Sequence, residues 1–317
     1  MQIPAFHKQK HVAMCLECAI LLEVSAPKPG NVTRTAGFEG TRYEHFLVSA
    51  VAVAPSFERA AERGVAVSRG ELNPSDIGIG RIIRDCVTKA TNWQRGGNTL
   101  LGSVIMLSPI AVAAGMTESM QEAFDIKAIR KNLRTVIEST TPEDAADVYE
   151  AIQAAKPGGL GKISELDVND PDSKDKILKE RISLYQVFKI ASRYDSICSE
   201  WINNYPITFD IAYPSLTHQL AKEDDLNKAI VYAFLKVLAE RPDTLIARKT
   251  SLEKAVEISA KAREILGLNC LESREGKSAL DAFDLQLRSS GNLLSPGTTA
   301  DIIAASLGLC VLGGFRP

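Results

Sequence analysis

No sign of charge dominates this chain: 37 lysines and arginines face 39 aspartates and glutamates, for a formal net charge of -2. A surface built to neutralise nucleic-acid phosphates carries a clear basic excess, so a general nucleic-acid-binding role is excluded. Cysteines number six in 317 residues, too few for a disulfide framework, which makes a reducing compartment the simpler setting. Four scattered histidines support no Ser-His-Asp or Cys-His arrangement. The opening MQIPAFHKQKH contains charges and no apolar h-region, so the expected location is cytoplasmic, without a secretory signal. Alternating β-branched runs are almost absent as well, which removes most sheet-based folds.

Helical periodicity fills the space. Val12, Cys15, Ala19 and Leu22 repeat at helical spacing until Pro27 and Pro29 stop the helix. Thr41 to Glu44 reads as a capping box opening a helix that Pro55 should kink or break. Asn73-Pro74-Ser75-Asp76 predicts a helix start running to Gly96, and Thr141-Pro142-Glu143-Asp144 predicts another. Further amphipathic segments are expected near 176–203, 222–240, 250–266 and 277–288. Asn98 to Thr117 lacks charge and approaches the length of a membrane span. Its Asn98, Thr99, Ser103, Ser108 and Pro109 suit a helix packed inside protein better than one facing lipid. The expected fold is all-α: one compact helical domain over residues 1–317, with buried apolar central helices and a long polar loop near 156–175.

Three glycine-bearing stretches stand where helices begin or end. Lys28-Pro29-Gly30 offers rigid backbone amides beside a cation, suited to phosphate. Gly97-Asn98-Thr99 opens an uncharged helix whose free N–H groups and dipole attract anions. Ser295-Pro296-Gly297-Thr298-Thr299-Ala300-Asp301 sets hydroxyls, an open turn and one carboxylate at the mouth of the last helix, where Asp301 suits Mg²⁺ beside phosphate oxygens. Asp243-Thr244 with Arg248 and Lys249 adds a carboxylate, a hydroxyl and two cations, with Thr244 and Arg248 on one helix face. Helix capping and a solvated charged face are the plainer explanations of each. His7, His11, Cys15 and Cys18 lie at near-helical spacing, but one helix cannot readily wrap four ligands into a zinc tetrahedron. Lys156 to Lys162 lacks the first glycine and the hydroxyl of a phosphate loop.

Taken in order, Glu23 with Lys28-Pro29-Gly30 and Val32, Gly97-Asn98-Thr99 with Gly102, Asp243-Thr244, and Ser295-Pro296-Gly297 with Ala300-Asp301 resemble the triphosphoribosyl-dephospho-CoA synthase family nearly end to end. The resemblance implies an all-helical transferase that takes ATP and dephospho-CoA, expels adenine and joins the triphosphoribosyl group to a ribose hydroxyl. The implied product is a precursor of the prosthetic group of certain acyl-carrier subunits. The chain departs from the family's bacterial pattern at Thr33, Leu100 and Leu245, where an acid, a histidine and an asparagine are usual.

On that resemblance, Mg²⁺ is the expected cofactor, with Asp243 and Asp301 as its ligands and as catalytic groups. Phosphate contacts are expected from Lys28, Gly30, Asn98, Thr99, Arg248, Lys249, Ser295, Gly297 and Thr298. Glu23 is expected either to accept the proton of the attacking hydroxyl or to stabilise the sugar cation. An N-glycosidic hydrolase and a non-catalytic nucleotide-binding protein are the alternatives. The expected partners are ATP and a CoA-like or other ribosyl acceptor, with no nucleic acid and no membrane, and a homodimer is compatible with so apolar a helical chain.

Overall fold

The computed structural model describes residues 5–120, 122–161 and 165–317, with the backbone alone for 5–7 and 120. Among them run helices α1 (Ala5–Ser25), α2 (Tyr43–Ser68), α3 (Ile79–Trp93), α4 (Leu101–Met116), α5 (Ile126–Glu138), α6 (Pro142–Ala155), α7 (Pro171–Lys179), α8 (Leu184–Ala191), α9 (Ser196–Ile202), α10 (Tyr213–Lys222), α11 (Leu226–Glu240), α12 (Thr244–Lys249), α13 (Leu252–Gly267), α14 (Arg274–Arg288) and α15 (Gly297–Leu312). The fold is all-α. The described strand content is an antiparallel pair, Ser119–Met120 with Ala123–Phe124, each too short to leave a periodic trace in the sequence.

Two helices that are apolar on every side form the centre, as that pattern requires. Ser103 to Gly115 of α4 and Ile302 to Leu312 of α15 are buried throughout. They pack against each other, and α1 packs on both; α2, α3 and α5 cover α4, while α10 and α11 cover α15. A Cβ on Gly64 would come within 2.9 Å of the Val112 carbonyl carbon, and one on Gly115 within 2.9 Å of that of Ala61, so α2 and α4 meet backbone to backbone. No helix among the described residues is long and apolar enough to cross a membrane.

Local punctuation holds in most places. Thr141 caps α6 reciprocally with Asp144, and α1 stops before the two prolines. Three expectations change. Helix α2 runs through Pro55 without a break, because buried Val53, Ser56 and Phe57 keep it packed where one backbone hydrogen bond is lost. Thr41 does not cap α2: its hydroxyl donates to the Gly96 carbonyl at 2.7 Å, and His45 Nδ1 accepts from Arg42 N instead. Pro74–Asp76 forms only a 3-10 turn, after which Gly78, at φ +66°, reverses the chain into α3. The polar connection between α6 and α7 occupies 156–170.

Candidate active site

The starts of α4, α9, α12 and α15 converge on one pocket of about 320 Å³. Asn98, Gly102, Asp195, Arg248, Thr298 and Asp301 form its polar end, and residues 157–161 and 165–168 close another side. Sequence separations of up to about two hundred residues are bridged by a small set of polar ties. Asp243 caps α12, its Oδ1 accepting from Leu245 N at 2.8 Å and Ile246 N at 3.1 Å. Its Oδ2 accepts from Thr299 N at 2.7 Å and Thr299 Oγ1 at 2.8 Å, which clamps α12 to the first turn of α15. Thr244 Oγ1 accepts from Ser196 N at 3.1 Å and lies 3.4 Å from Thr298 Oγ1. Arg248 pairs with Asp195, whose Oδ1 caps α9 through Cys198 N at 3.0 Å. Ser103 Oγ donates to Asp301 Oδ1 at 2.6 Å, joining α4 to α15.

These contacts revise the role of Asp243. A carboxylate offers about four acceptor directions, and here all are occupied by protein donors. It is 2% exposed and holds the pocket together rather than facing a metal ion. Asp243→Asn is expected to destabilise the fold by about 1–3 kcal/mol, since an amide nitrogen cannot accept from either pair of donors. Urea denaturation measures this, and an unchanged midpoint would remove the clamp.

Asp301 carries the unusual electrostatics. Burial pushes its carboxyl up to about 8; the Ser103 hydrogen bond opposes this, and the charges of Glu23, Asp243 and Asp195 add to it. Glu23 and Lys28 form a buried pair 3.0 Å apart. Burial drives the Glu23 carboxyl up and the Lys28 ammonium down, while each partner's charge resists the other's shift. Glu23 Oε1 accepts no hydrogen bond beyond that ion-pair contact.

The Lys28-Pro29-Gly30 turn does not open into this pocket. Lys28 Nζ donates to the Glu23 and Ala26 carbonyls, Gly30 N donates to Asp284 Oδ1 at 2.7 Å, and a Cβ on Gly30 would meet Leu287 at 2.7 Å. Lys28 instead borders a separate cleft with Asp225, Lys228 and Arg288. Asn98 lines the main pocket and caps α4 through Leu101 N at 3.1 Å. Thr99 turns away to Ser49 Oγ at 2.8 Å. Lys249 donates to the Asn292 carbonyl at 2.9 Å and packs on Gly158 and Gly159. Ser295 is buried, its N donating to Asn292 O at 3.4 Å, and Gly297 lets Leu245 approach the start of α15, where a Cβ would lie 2.6 Å from Leu245 Cδ2. Thr33 closes its own turn by accepting from Thr35 N and Ala36 N, Leu100 is buried, and Leu245 lines the pocket.

Asp195 and Ser103 escaped the sequence reading. A helix-start aspartate before Ser196 and a lone serine in an apolar helix were their faint signals. His7 of the possible zinc set has a side chain outside the described residues; His11 Nε2 lies 3.5 Å from Cys15 Sγ, and no group of three or more His, Cys, Asp or Glu among the described residues could hold a metal.

A family profile described as ATP:dephospho-CoA triphosphoribosyl transferase (CitG) matches residues 9–316. A 2-(5''-triphosphoribosyl)-3'-dephosphocoenzyme-A synthase of Escherichia fergusonii is 23% identical over 303 residues, covering 94% of this chain and 89% of its own. A crystal structure assigned as a triphosphoribosyl-dephospho-CoA synthase of Archaeoglobus fulgidus superimposes with a TM-score of 0.62 at 21% identity, over 85% of this chain and 100% of that one. At that identity the likeness speaks for the shared fold.

Proposed function

This chain belongs to the ATP:dephospho-CoA triphosphoribosyl transferase family, and from that membership we propose that it displaces adenine from ATP and transfers the triphosphoribosyl group to a ribose hydroxyl of dephospho-CoA. One observation carries the reading: Asn98, Arg248, Thr298 and Asp301, from three distant stretches of chain, line a single pocket.

In the reaction, the bond from the sugar's anomeric carbon to the adenine nitrogen breaks and a bond from that carbon to the acceptor oxygen forms. The hydroxyl proton leaves with the displaced base or solvent. The Thr298 hydroxyl and the Arg248 guanidinium bind and orient the triphosphate. Asp195 fixes Arg248 in place, and Asn98 rigidifies the facing start of α4. Glu23 pairs with Lys28 and lies outside the pocket lining, so it bears on the site through its charge on Asp301.

The residues fit Mg²⁺ through Asp301, because a carboxyl raised by burial among other carboxylates is the group a cation would return to its ionised form. Mg²⁺ ordinarily takes one or two protein carboxylates and completes its shell from phosphate and water, so a larger protein cage is not needed. Bound there, it would offset the charge of the triphosphate. The test is mass spectrometry of reactions containing ATP with and without dephospho-CoA. Adenine released together with a triphosphoribosyl adduct, and only with acceptor present, is the expected result. Adenine released equally without acceptor would assign hydrolysis, and no adenine in either reaction would sink the catalytic reading.

A further inference from the structure

Beyond its polar end, the pocket continues as an apolar chamber whose walls include three aromatic rings, Tyr149, Phe188 and Tyr194. The walls are held firmly. Tyr149 Oη donates to the Leu166 carbonyl at 2.5 Å, and Phe188 packs edge-on against Trp201 with ring centroids 4.9 Å apart. Trp201 in turn donates from Nε1 to the Ile105 carbonyl at 3.2 Å. Tyr194 stands 40% exposed at the rim, one residue before Asp195 and therefore beside the Arg248 pair. The chamber thus joins rigid apolar faces to a polar mouth where Thr298 and the Arg248–Asp195 pair lie beside Asp301.

We propose that this chamber seats a purine ring, stacked against the Tyr194 face, with its sugar and phosphates leading outward to Thr298, Arg248 and Asp301. The proposal deepens the transfer reading and rests on it for one fact, that donor and acceptor both carry adenine. A pantetheine arm matches the chamber less well. Its amides and hydroxyl need hydrogen-bonding partners when buried, whereas Tyr149 Oη is already committed within the protein. A nucleobase concentrates its polar atoms on its edge, which can stay at the open rim beside the exposed Tyr194 while the ring faces stack on aromatic side chains.

Ala191, half-buried on the chamber wall, and the rim residue Tyr194 allow a test that spares the core. Free adenine is followed by saturation-transfer NMR and, in parallel, free pantetheine. Adenine is expected to bind the wild type and Tyr194→Phe alike. It should bind about 10–100-fold more weakly to Tyr194→Ala, which removes the stack, and to Ala191→Phe, which fills the chamber. Both variants should keep the wild-type thermal midpoint within about 4 °C, separating loss of the site from loss of the fold. Adenine binding unchanged by both substitutions overturns the proposal. So does the absence of adenine binding to the wild type up to its solubility limit, or loss of pantetheine binding alone. These readouts need no turnover, so they stand even if the transfer reading fails. Where turnover occurs, a raised KM for ATP in Ala191→Phe identifies the donor's base as the occupant, and a raised KM for dephospho-CoA identifies the acceptor's.

Discussion

Asp301→Asn is expected to cut adenine release by at least about 100-fold while making the ligand-free protein more stable above neutral pH. The two effects share a cause. In the folded chain the Asp301 carboxyl is pushed up to about 8, from an ordinary value of 3.8, chiefly by burial. Between those values the native state holds a proton that the unfolded chain has released, so stability falls as pH rises from about 4 to about 8. A shift of about four units at 1.36 kcal/mol per unit bounds the loss near 6 kcal/mol, and sharing of charge with Glu23, Asp243 and Asp195 reduces it. Asparagine keeps an oxygen to accept from Ser103 but never ionises, so its stability should lack most of this slope. Thermal denaturation from pH 4 to pH 9 should show the curves of wild type and variant converging at the acid end and the variant melting higher at the alkaline end. A variant that melts lower throughout would place Asp301 among the stabilising residues and weaken its assignment to the reaction.

Gly102→Ala is the second large effect, and its direction opposes helix propensity. In an exposed helix interior, glycine to alanine gains roughly 1 kcal/mol. At Gly102 the new methyl would lie 2.5 Å from Asp301 Cγ and 2.7 Å from Ile197 Cδ1, and it would overlap the Asp301 carboxylate oxygen itself. Either Asp301 swings away from Ser103 or α4 and α15 part. Activity is expected to fall at least about 100-fold, since displacement by about 1 Å is enough for such a loss, and stability should fall by about 1–3 kcal/mol from overpacking. Adenine-release kinetics alongside urea denaturation measures both. Wild-type activity with raised stability would mean that α4 and α15 are not in contact where their polar ends meet.

The glycine explains why the site could be read only partly from the residues. Gly102, Asn98, Thr298 and Asp301 were each visible as helix-start chemistry, because a cap and a free N–H are properties of a few adjacent residues. Their convergence depends on α4 and α15 crossing at close range, which is a property of the packed core. The same limit governs the other candidates. Asp243 and Asp301 are both aspartates at helix starts, yet one has its oxygens filled by protein donors and the other lines the pocket. Lys28 lies in a turn suited to phosphate, yet its charge is spent on Glu23 behind a different surface. Asp195 was overlooked because nothing local marks it as Arg248's partner 53 residues away.

Local chemistry settled the helical class, the uncharged central helices and several polar helix starts, among them those of α4, α6, α12 and α15, since periodicity and capping act over a few residues. Packing settled which of those starts share a pocket, which carboxylate has its oxygens filled by protein donors, and where an apolar chamber adjoins them. Burial and long-range charge set those outcomes, and both depend on neighbours that only the folded chain brings together.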